Sequence, residues 1–156
     1  MTIKGIIDED FVNYKVPSMT LMFPKCSFKC GHDLCQNSEI ANQPDIVVDS
    51  YKICRRYLDN NITSAVVIQG LEPFDSWDDL YEFLIALRIH YYCYDDVVIY
   101  TGYNRDEIED KIGILQRSFT NIVIKFGRYI PNQTPHYDNV LEVNLASDNQ
   151  YAERIS

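Results

Sequence analysis

The sequence lacks the features of a membrane or exported protein. No apolar run approaches the length of a membrane span, and the first segment, MTIKGIIDEDFVNYK, carries acids where a signal peptide needs a basic stretch followed by an apolar one. We therefore expect a soluble, cytoplasmic protein with no membrane partner. Repeats, low-complexity tracts and linkers are also missing, so the 156 residues predict one domain spanning 1–156.

Basic residues are scarce. Lys and Arg sum to 14 against 23 for Asp and Glu, which gives a formal net charge of −9. A chain of this charge is repelled by a phosphate backbone. We therefore expect no nucleic-acid partner.

The sequence also lacks the even set of cysteines that a secreted disulfide framework normally has. It contains five, and three of them, Cys26, Cys30 and Cys35, fall within ten residues. Reduced thiols that bind a metal fit this distribution better. Cys54 and Cys93 fall within or at the end of helical patterns, and we expect them to pack in the core.

The apolar runs that are present alternate between β-rich and helical segments. The β-rich runs are short and near-continuously apolar or bounded by turn residues, and they lie at 19–23, 65–69, 96–100, 122–126 and 140–145. Helical patterns cover 50–60, 76–92 and 104–116. Ser76 and Asn104 stand at N-cap positions, with Asp79 and Glu107 three residues later. This alternation predicts an α/β protein built on a parallel sheet.

The unusual segments all follow predicted strands. Cys26 follows the first, segment 70–73 the second, segment 101–103 the third and segment 147–150 the last. Because the carboxyl ends of parallel strands meet at one edge of a sheet, we expect these segments to lie together there.

The three clustered cysteines have the spacing Cys-x3-Cys-x4-Cys in a loop that contains Gly31. Thiolates suit zinc and iron–sulfur clusters. Structural zinc almost always has four ligands, for which His32 is the local candidate, whereas a four-iron cluster can leave one iron open for a substrate. Both alternatives follow from the residues.

The cysteine loop, with Asn37 after it and Asp10–Asn13 (DFVN) before it, resembles the radical S-adenosylmethionine enzymes. Within them it is most similar to the activating proteins of anaerobic ribonucleotide reductase, which are glycyl-radical enzyme activases. The family spacing is Cys-x3-Cys-x2-Cys, so the last gap here is longer by two residues. The resemblance implies a parallel sheet that forms a small partial (βα) barrel.

Weaker motifs extend the resemblance along the chain. Gly70-Leu71-Glu72-Pro73 resembles the Gly-Gly-Glu-Pro turn, which holds the amino group of the methionine moiety, although Leu71 replaces the second glycine. Tyr100-Thr101-Gly102-Tyr103 is similar to a YTGY segment, whose hydroxyls and backbone are implied to approach the ribose. The resemblance further implies that Lys125 pairs with the cofactor carboxylate. Ser147, Asn149 and Gln150 resemble a Ser-x-Asn-Gln segment near the C-terminus, and the resemblance implies that Asn149 contacts the cofactor.

The activity implied by the resemblance is reductive cleavage of S-adenosylmethionine on a [4Fe-4S] cluster held by Cys26, Cys30 and Cys35. The 5′-deoxyadenosyl radical would then install a glycyl radical on a large partner such as anaerobic ribonucleotide reductase, with electrons from a donor such as flavodoxin or ferredoxin. Two alternatives remain open. One is a radical enzyme that acts on a small molecule or peptide, and the other is a non-catalytic zinc-binding interaction module that uses the same cysteines.

Overall fold

The computed structural model of the chain describes residues 1–29, 31, 33, 35 and 37–156. Its strands are β1 (Thr2–Ile3), β2 (Gly5–Asp10), β3 (Ser18–Phe23), β4 (Ile46–Val47), β5 (Ala65–Gly70), β6 (Asp96–Tyr100), β7 (Ile122–Phe126), β8 (His136–Asp138), β9 (Val143–Leu145) and β10 (Tyr151–Arg154). Its α-helices are α1 (Ser38–Ala41), α2 (Ser50–Leu58), α3 (Trp77–Ile85) and α4 (Glu109–Ser118). No helix in these described ranges is long and apolar enough to cross a membrane.

A mixed six-stranded sheet organises the chain, in the order β10-β7-β6-β5-β3-β2. The central strands β3, β5, β6 and β7 are parallel, whereas the edge strands β2 and β10 run antiparallel to their neighbours. The α/β prediction and four of the predicted strands are therefore confirmed. The carboxyl ends of the four parallel strands meet at one edge, which carries the site described below.

The two faces of the sheet are covered differently. On one face, alternate strand residues such as Leu21, Ile68 and Ile124 pack in one cluster with buried residues of α2, α3 and α4. On the other face, Val67 and Val98 form a smaller cluster that is covered by non-helical segments; these contribute Tyr14, Leu141 and Leu145. Because all three long helices share one face, the opposite face stays open enough to hold a cavity.

The helix boundaries match the sequence patterns with local differences. Helix α3 continues as a π-helical turn, Ala86–His90. The predicted capping box at Ser76 is wrong, because its side chain caps nothing and the Asp79 carboxylate instead accepts a hydrogen bond from the Thr2 N–H at 3.2 Å. At the second predicted capping box, Asn104 to Glu107, the Glu107 carboxylate accepts a hydrogen bond from the Asn104 N–H at 2.9 Å, as predicted.

The predicted strand at 140–145 is wrong in extent and in placement. Only Val143–Leu145 is a strand, and it pairs with β8 in a separate hairpin. The physical reason is the connection. A further parallel strand needs a crossover of a dozen or more residues, usually a helix, whereas the chain between β7 and 140 contains Pro131 and Pro135 and no described helix.

The expectation that the two remaining cysteines pack in the core is also met. Cys54 and Cys93 are buried in the helix-side cluster.

Arg88, only 3% exposed, stabilises the start of β6 and β7 by donating hydrogen bonds to backbone carbonyls. Its acceptors are the carbonyl oxygens of Cys93, Asp95, Thr120 and Asn121, at 2.7, 2.8, 3.2 and 3.3 Å.

Candidate functional site

A cavity of about 440 Å³ lies at the carboxyl ends of the parallel strands, within the range of roughly 300–1,000 Å³ typical of small-molecule sites. It brings together most of the residues that the sequence singled out. Its lining includes Cys26, Cys35, Asn37, Gly70, Leu71, Glu72, Thr101, Gly102, Lys125 and Gln150. The expectation that the strand-end segments meet at one edge is therefore correct for these residues.

Two of the three clustered cysteines contribute to this lining. Cys26 lies just beyond β3, and its Sγ accepts a hydrogen bond from the Phe28 N–H at 3.2 Å. Cys35 reaches the same cavity. Cys30 and the candidate ligand His32 lie outside the described residues. Within the described part of the chain, no three His, Cys, Asp or Glu side chains are grouped as metal ligands.

The cysteine loop, residues 26–35, is tied to the end of β5. The Leu71 N–H donates to the Phe23 carbonyl at 3.1 Å, and the Glu72 N–H donates to the Lys25 carbonyl at 2.8 Å. Beyond the loop, the Asn37 side-chain amide donates to the Gly70 carbonyl at 2.7 Å. The loop therefore enters and leaves beside the turn after β5.

Gly70 makes this approach possible. Its φ is +108°, and a Cβ added there would lie 2.6 Å from the Phe23 backbone nitrogen. Only glycine meets both conditions. Leu71, which replaces a glycine of the resembling turn, is not among the described residues with positive φ. The turn therefore uses glycine freedom at the first position and accepts a side chain at the second.

Glu72 is a buried carboxylate at the centre of the site, 4% exposed. Its Oε1 accepts hydrogen bonds from the Thr101 hydroxyl at 2.8 Å and the Phe74 N–H at 3.1 Å, and its Oε2 accepts from the Gly102 N–H at 2.8 Å. Burial raises the pKa of Glu72 to about 7, although these hydrogen bonds oppose the shift. The carboxylate thus joins the turns after β5 and β6.

Lys125 faces the cavity from β7 and is 7% exposed, so it is not on an exposed edge strand. Burial lowers the pKa of Lys125 to about 8, against the opposing effect of the Glu72 carboxylate. Its Nζ donates to the Gly127 carbonyl at 2.9 Å and lies 5.9 Å from the centre of the Tyr100 ring. A buried amine with one described hydrogen bond has donors left for an anionic ligand.

The charge of the cavity differs from that of the whole chain. Its described lining contains three cationic side chains, Lys29, Lys125 and Arg128, and one acid, Glu72, whereas the chain carries a net charge of −9. Glu107, just outside this lining, pairs with both Lys29 at 3.6 Å and Arg128 at 2.8 Å. Lys125 is therefore the lining cation best placed to meet an anionic group of a ligand.

Asp10 shapes the floor of the cavity, a role that sequence reasoning missed. Its carboxylate accepts from the Val12 and Asn13 N–H groups at 2.8 and 3.3 Å and from the Thr20 hydroxyl at 2.6 Å. Val12 and Asn13 line the cavity, and the Asn13 carbonyl accepts from the Tyr100 hydroxyl at 2.6 Å. The DFVN segment is the signal that could have revealed this turn.

Pro73 and the Ser-x-Asn-Gln segment contribute less to the cavity lining. Pro73 and Asn149 are described but are not among the lining residues. The Asn149 amide donates to the Arg128 carbonyl at 2.9 Å, while its Oδ1 is buried without a hydrogen-bond partner. Gln150 lines the cavity, and its Oε1 accepts from the Ser147 N–H at 3.2 Å. The Ser-x-Asn-Gln segment therefore supports the turn at 127–130.

No family model, no curated protein and no solved structure matches the chain. The arguments for its function therefore come from its own residues and their geometry, together with the motif resemblance.

Proposed function

We propose that the protein is a radical S-adenosylmethionine activating enzyme. One observation carries the proposal: Cys26 and Cys35 line the same cavity as Gly70, Glu72 and Lys125. Residues that are widely separated in sequence, and that the resemblance assigns to one cofactor site, thus meet in a single hollow. A packing role alone would not require thiols, an acid and an amine to share it.

The residues of the site fit the proposed cofactors. Cys26, Cys30 and Cys35 would hold a [4Fe-4S] cluster, and thiolates are the donors that such clusters use. Asn149, whose Oδ1 is buried without a partner and outside the cavity lining, would reach a ligand only after the 127–130 turn moves. When bound, the cluster would supply one-electron reduction of S-adenosylmethionine, which releases methionine and a 5′-deoxyadenosyl radical.

The protein's own groups would bind and orient S-adenosylmethionine. Glu72 accepts three hydrogen bonds from the chain, and a carboxylate has about four acceptor sites, so one acceptor remains for the ammonium. Lys125 would pair with the carboxylate, using the donors left by its bond to Gly127. Thr101 and Gly102, with the backbone of Leu71 and the buried Pro73, would fix the turns around the ligand.

The proposed reaction removes a hydrogen atom from a glycine of a large partner enzyme, similar to anaerobic ribonucleotide reductase. The products are 5′-deoxyadenosine and a glycyl radical. An electron donor such as flavodoxin or ferredoxin would reduce the enzyme. We further propose one cytoplasmic domain over 1–156, whose sheet curves as part of a (βα) barrel. The packing of all three long helices on one face of the sheet supports that curvature.

Anaerobic reconstitution with iron and sulfide tests the proposal. After addition of dithionite and S-adenosylmethionine, we expect 5′-deoxyadenosine from the wild-type chain and none from Cys26→Ala or Cys35→Ala. Cys54→Ala is the matched control, because this thiol is buried in the helix-side core. A brown cluster without 5′-deoxyadenosine would refute the enzyme and leave only an iron–sulfur binding protein.

Metal analysis separates the rival functions. Stoichiometric zinc without iron or sulfide in anaerobically purified protein would favour the zinc-binding module. If 5′-deoxyadenosine forms but no glycyl radical appears on the reductase-like partner, the radical enzyme acts on a small molecule or peptide instead.

A further inference from the structure

Asp75 links the cysteine loop to two neighbouring strand ends. It lies in the 3-10 turn Pro73–Ser76, after β5. Its Oδ2 accepts from the Ser27 N–H at 2.6 Å, and its Oδ1 accepts from the Tyr103 hydroxyl at 2.6 Å. One carboxylate therefore connects the segments that follow β3, β5 and β6.

The Tyr103 side chain makes further contacts with residues 27 and 29 of the cysteine loop and with Arg128. Its hydroxyl lies 3.2 Å from the Ser27 hydroxyl. The Lys29 ammonium lies 4.7 Å from its ring centre, and the Arg128 guanidinium carbon lies 5.5 Å from it. Cation–π contacts of this kind are attractive. Tyr103 thus contacts the loop both before and after Phe28.

We infer that Tyr103 and Asp75 are positioning residues, which hold residues 26–29 of the cysteine loop against the cavity. Hydrogen bonds to an ionised carboxylate are about twice as strong as neutral ones, so the bonds at Asp75 fix the backbone directly after Cys26. The claim that this loop binds a cluster rests on the proposed function. The YTGY motif suggested a ribose contact, but the hydroxyl of its second tyrosine is already engaged with the loop.

Thiol reactivity of the reduced, metal-free chain tests this role without a cluster. Alkylation by iodoacetamide is followed by peptide mass spectrometry across a pH series, so that the limiting thiolate rate is separated from the thiol pKa. We expect this rate at Cys26 to rise about tenfold in Tyr103→Phe and further in Asp75→Asn, since each bond to a charged group contributes about one to two factors of ten. The rate at buried Cys54 should not change.

Tyr81→Phe is the matched control, because it removes a hydroxyl that lies 3.2 Å from Ser118 Oγ, on α3 and α4 and outside the cavity lining. If Cys54 becomes reactive in Asp75→Asn, that variant has unfolded. The Cys26 rate in Tyr103→Phe, which keeps the Asp75 carboxylate, then decides whether the inference holds. A Cys26 rate within twofold of wild type in Tyr103→Phe overturns the inference. So does weaker S-adenosylmethionine binding with unchanged Cys26 reactivity, which would instead indicate a ligand contact.

These outcomes are distinguishable from failure of the proposed function. Absence of 5′-deoxyadenosine from the reconstituted wild-type protein would refute the radical enzyme and leave the thiol measurements unaffected. Normal 5′-deoxyadenosine formation with unchanged thiol rates would refute only the positioning role.

Discussion

Replacing Lys125 with methionine should make the metal-free protein more stable. Burial lowers the pKa of this amine from its ordinary 10.5 to about 8, and each pKa unit corresponds to about 1.4 kcal/mol. Holding the charged form inside the protein below pH 8 therefore costs about 3 kcal/mol. The substitution loses one hydrogen bond, worth about 1 kcal/mol, but the Gly127 carbonyl keeps a second donor, the Gln150 amide at 3.2 Å.

The sign of the pH dependence follows from linkage. Between pH 8 and 10.5 the unfolded chain binds more protons at this position than the folded chain does, so wild-type stability gains from this group as the pH rises. Lys125→Met lacks that gain. We expect the variant to be more stable by about 2 kcal/mol near neutral pH, and we expect the difference to shrink as the pH approaches 10.5.

Urea unfolding, followed by circular dichroism at several pH values, measures this difference. Lys52→Met is the control, because Lys52 is exposed on α2 and its replacement should have a small, pH-independent effect. A destabilised Lys125→Met at neutral pH, or a difference that does not vary with pH, would contradict the reasoning. Binding of S-adenosylmethionine by the reconstituted variant should weaken in parallel, because the proposed carboxylate partner is lost.

Two further substitutions test how the fold holds the site. Gly70→Ala should destabilise the chain by about 2 kcal/mol or more, because the added Cβ meets the Phe23 backbone at 2.6 Å in a left-handed conformation. Gly5→Ala should cost less than half as much in the same urea assay, because the atom nearest to its added Cβ is the flexible Met22 sulfur at 3.6 Å. Arg88→Met should lower the free energy of unfolding by about 3 kcal/mol, because the Cys93, Asp95 and Thr120 carbonyls lose the Arg88 donor, while the Asn121 carbonyl keeps the Val97 N–H at 3.0 Å. An effect as small as that of exposed Arg55→Met would contradict this.

The sequence predicted the parallel strands because each is a short, near-continuously apolar run, which is typical of a strand covered on both faces. The last residues of these runs also indicate which strand ends line the cavity. The runs AVVIQG, DVVIY and IVIKF each change from apolar to polar or aromatic near the end, at Gln69, Tyr100 and Lys125. Tyr100 is directly opposite Lys125 in the sheet, and all three line the cavity. Comparing strand ends would have identified this row.

Other features could not be read from local sequence. The 140–145 run has the composition of a strand, and only the connection before it determines that it forms a hairpin outside the main sheet. The bond between Asp75 and Ser27 joins residues 48 positions apart. The rule that parallel strand ends meet brings such segments near each other, but it does not specify which atoms pair.

Two buried ionisable groups at the carboxyl edge of the sheet support a functional site independently of the motif resemblance. Glu72 and Lys125 are ionisable groups buried at the cavity, where each is expensive to charge. The sheet would pack as well with apolar residues at both buried positions. A site that binds a charged ligand needs them there, and this requirement explains why stability is given up at this edge. Buried Arg88, by contrast, is fully used by backbone carbonyls.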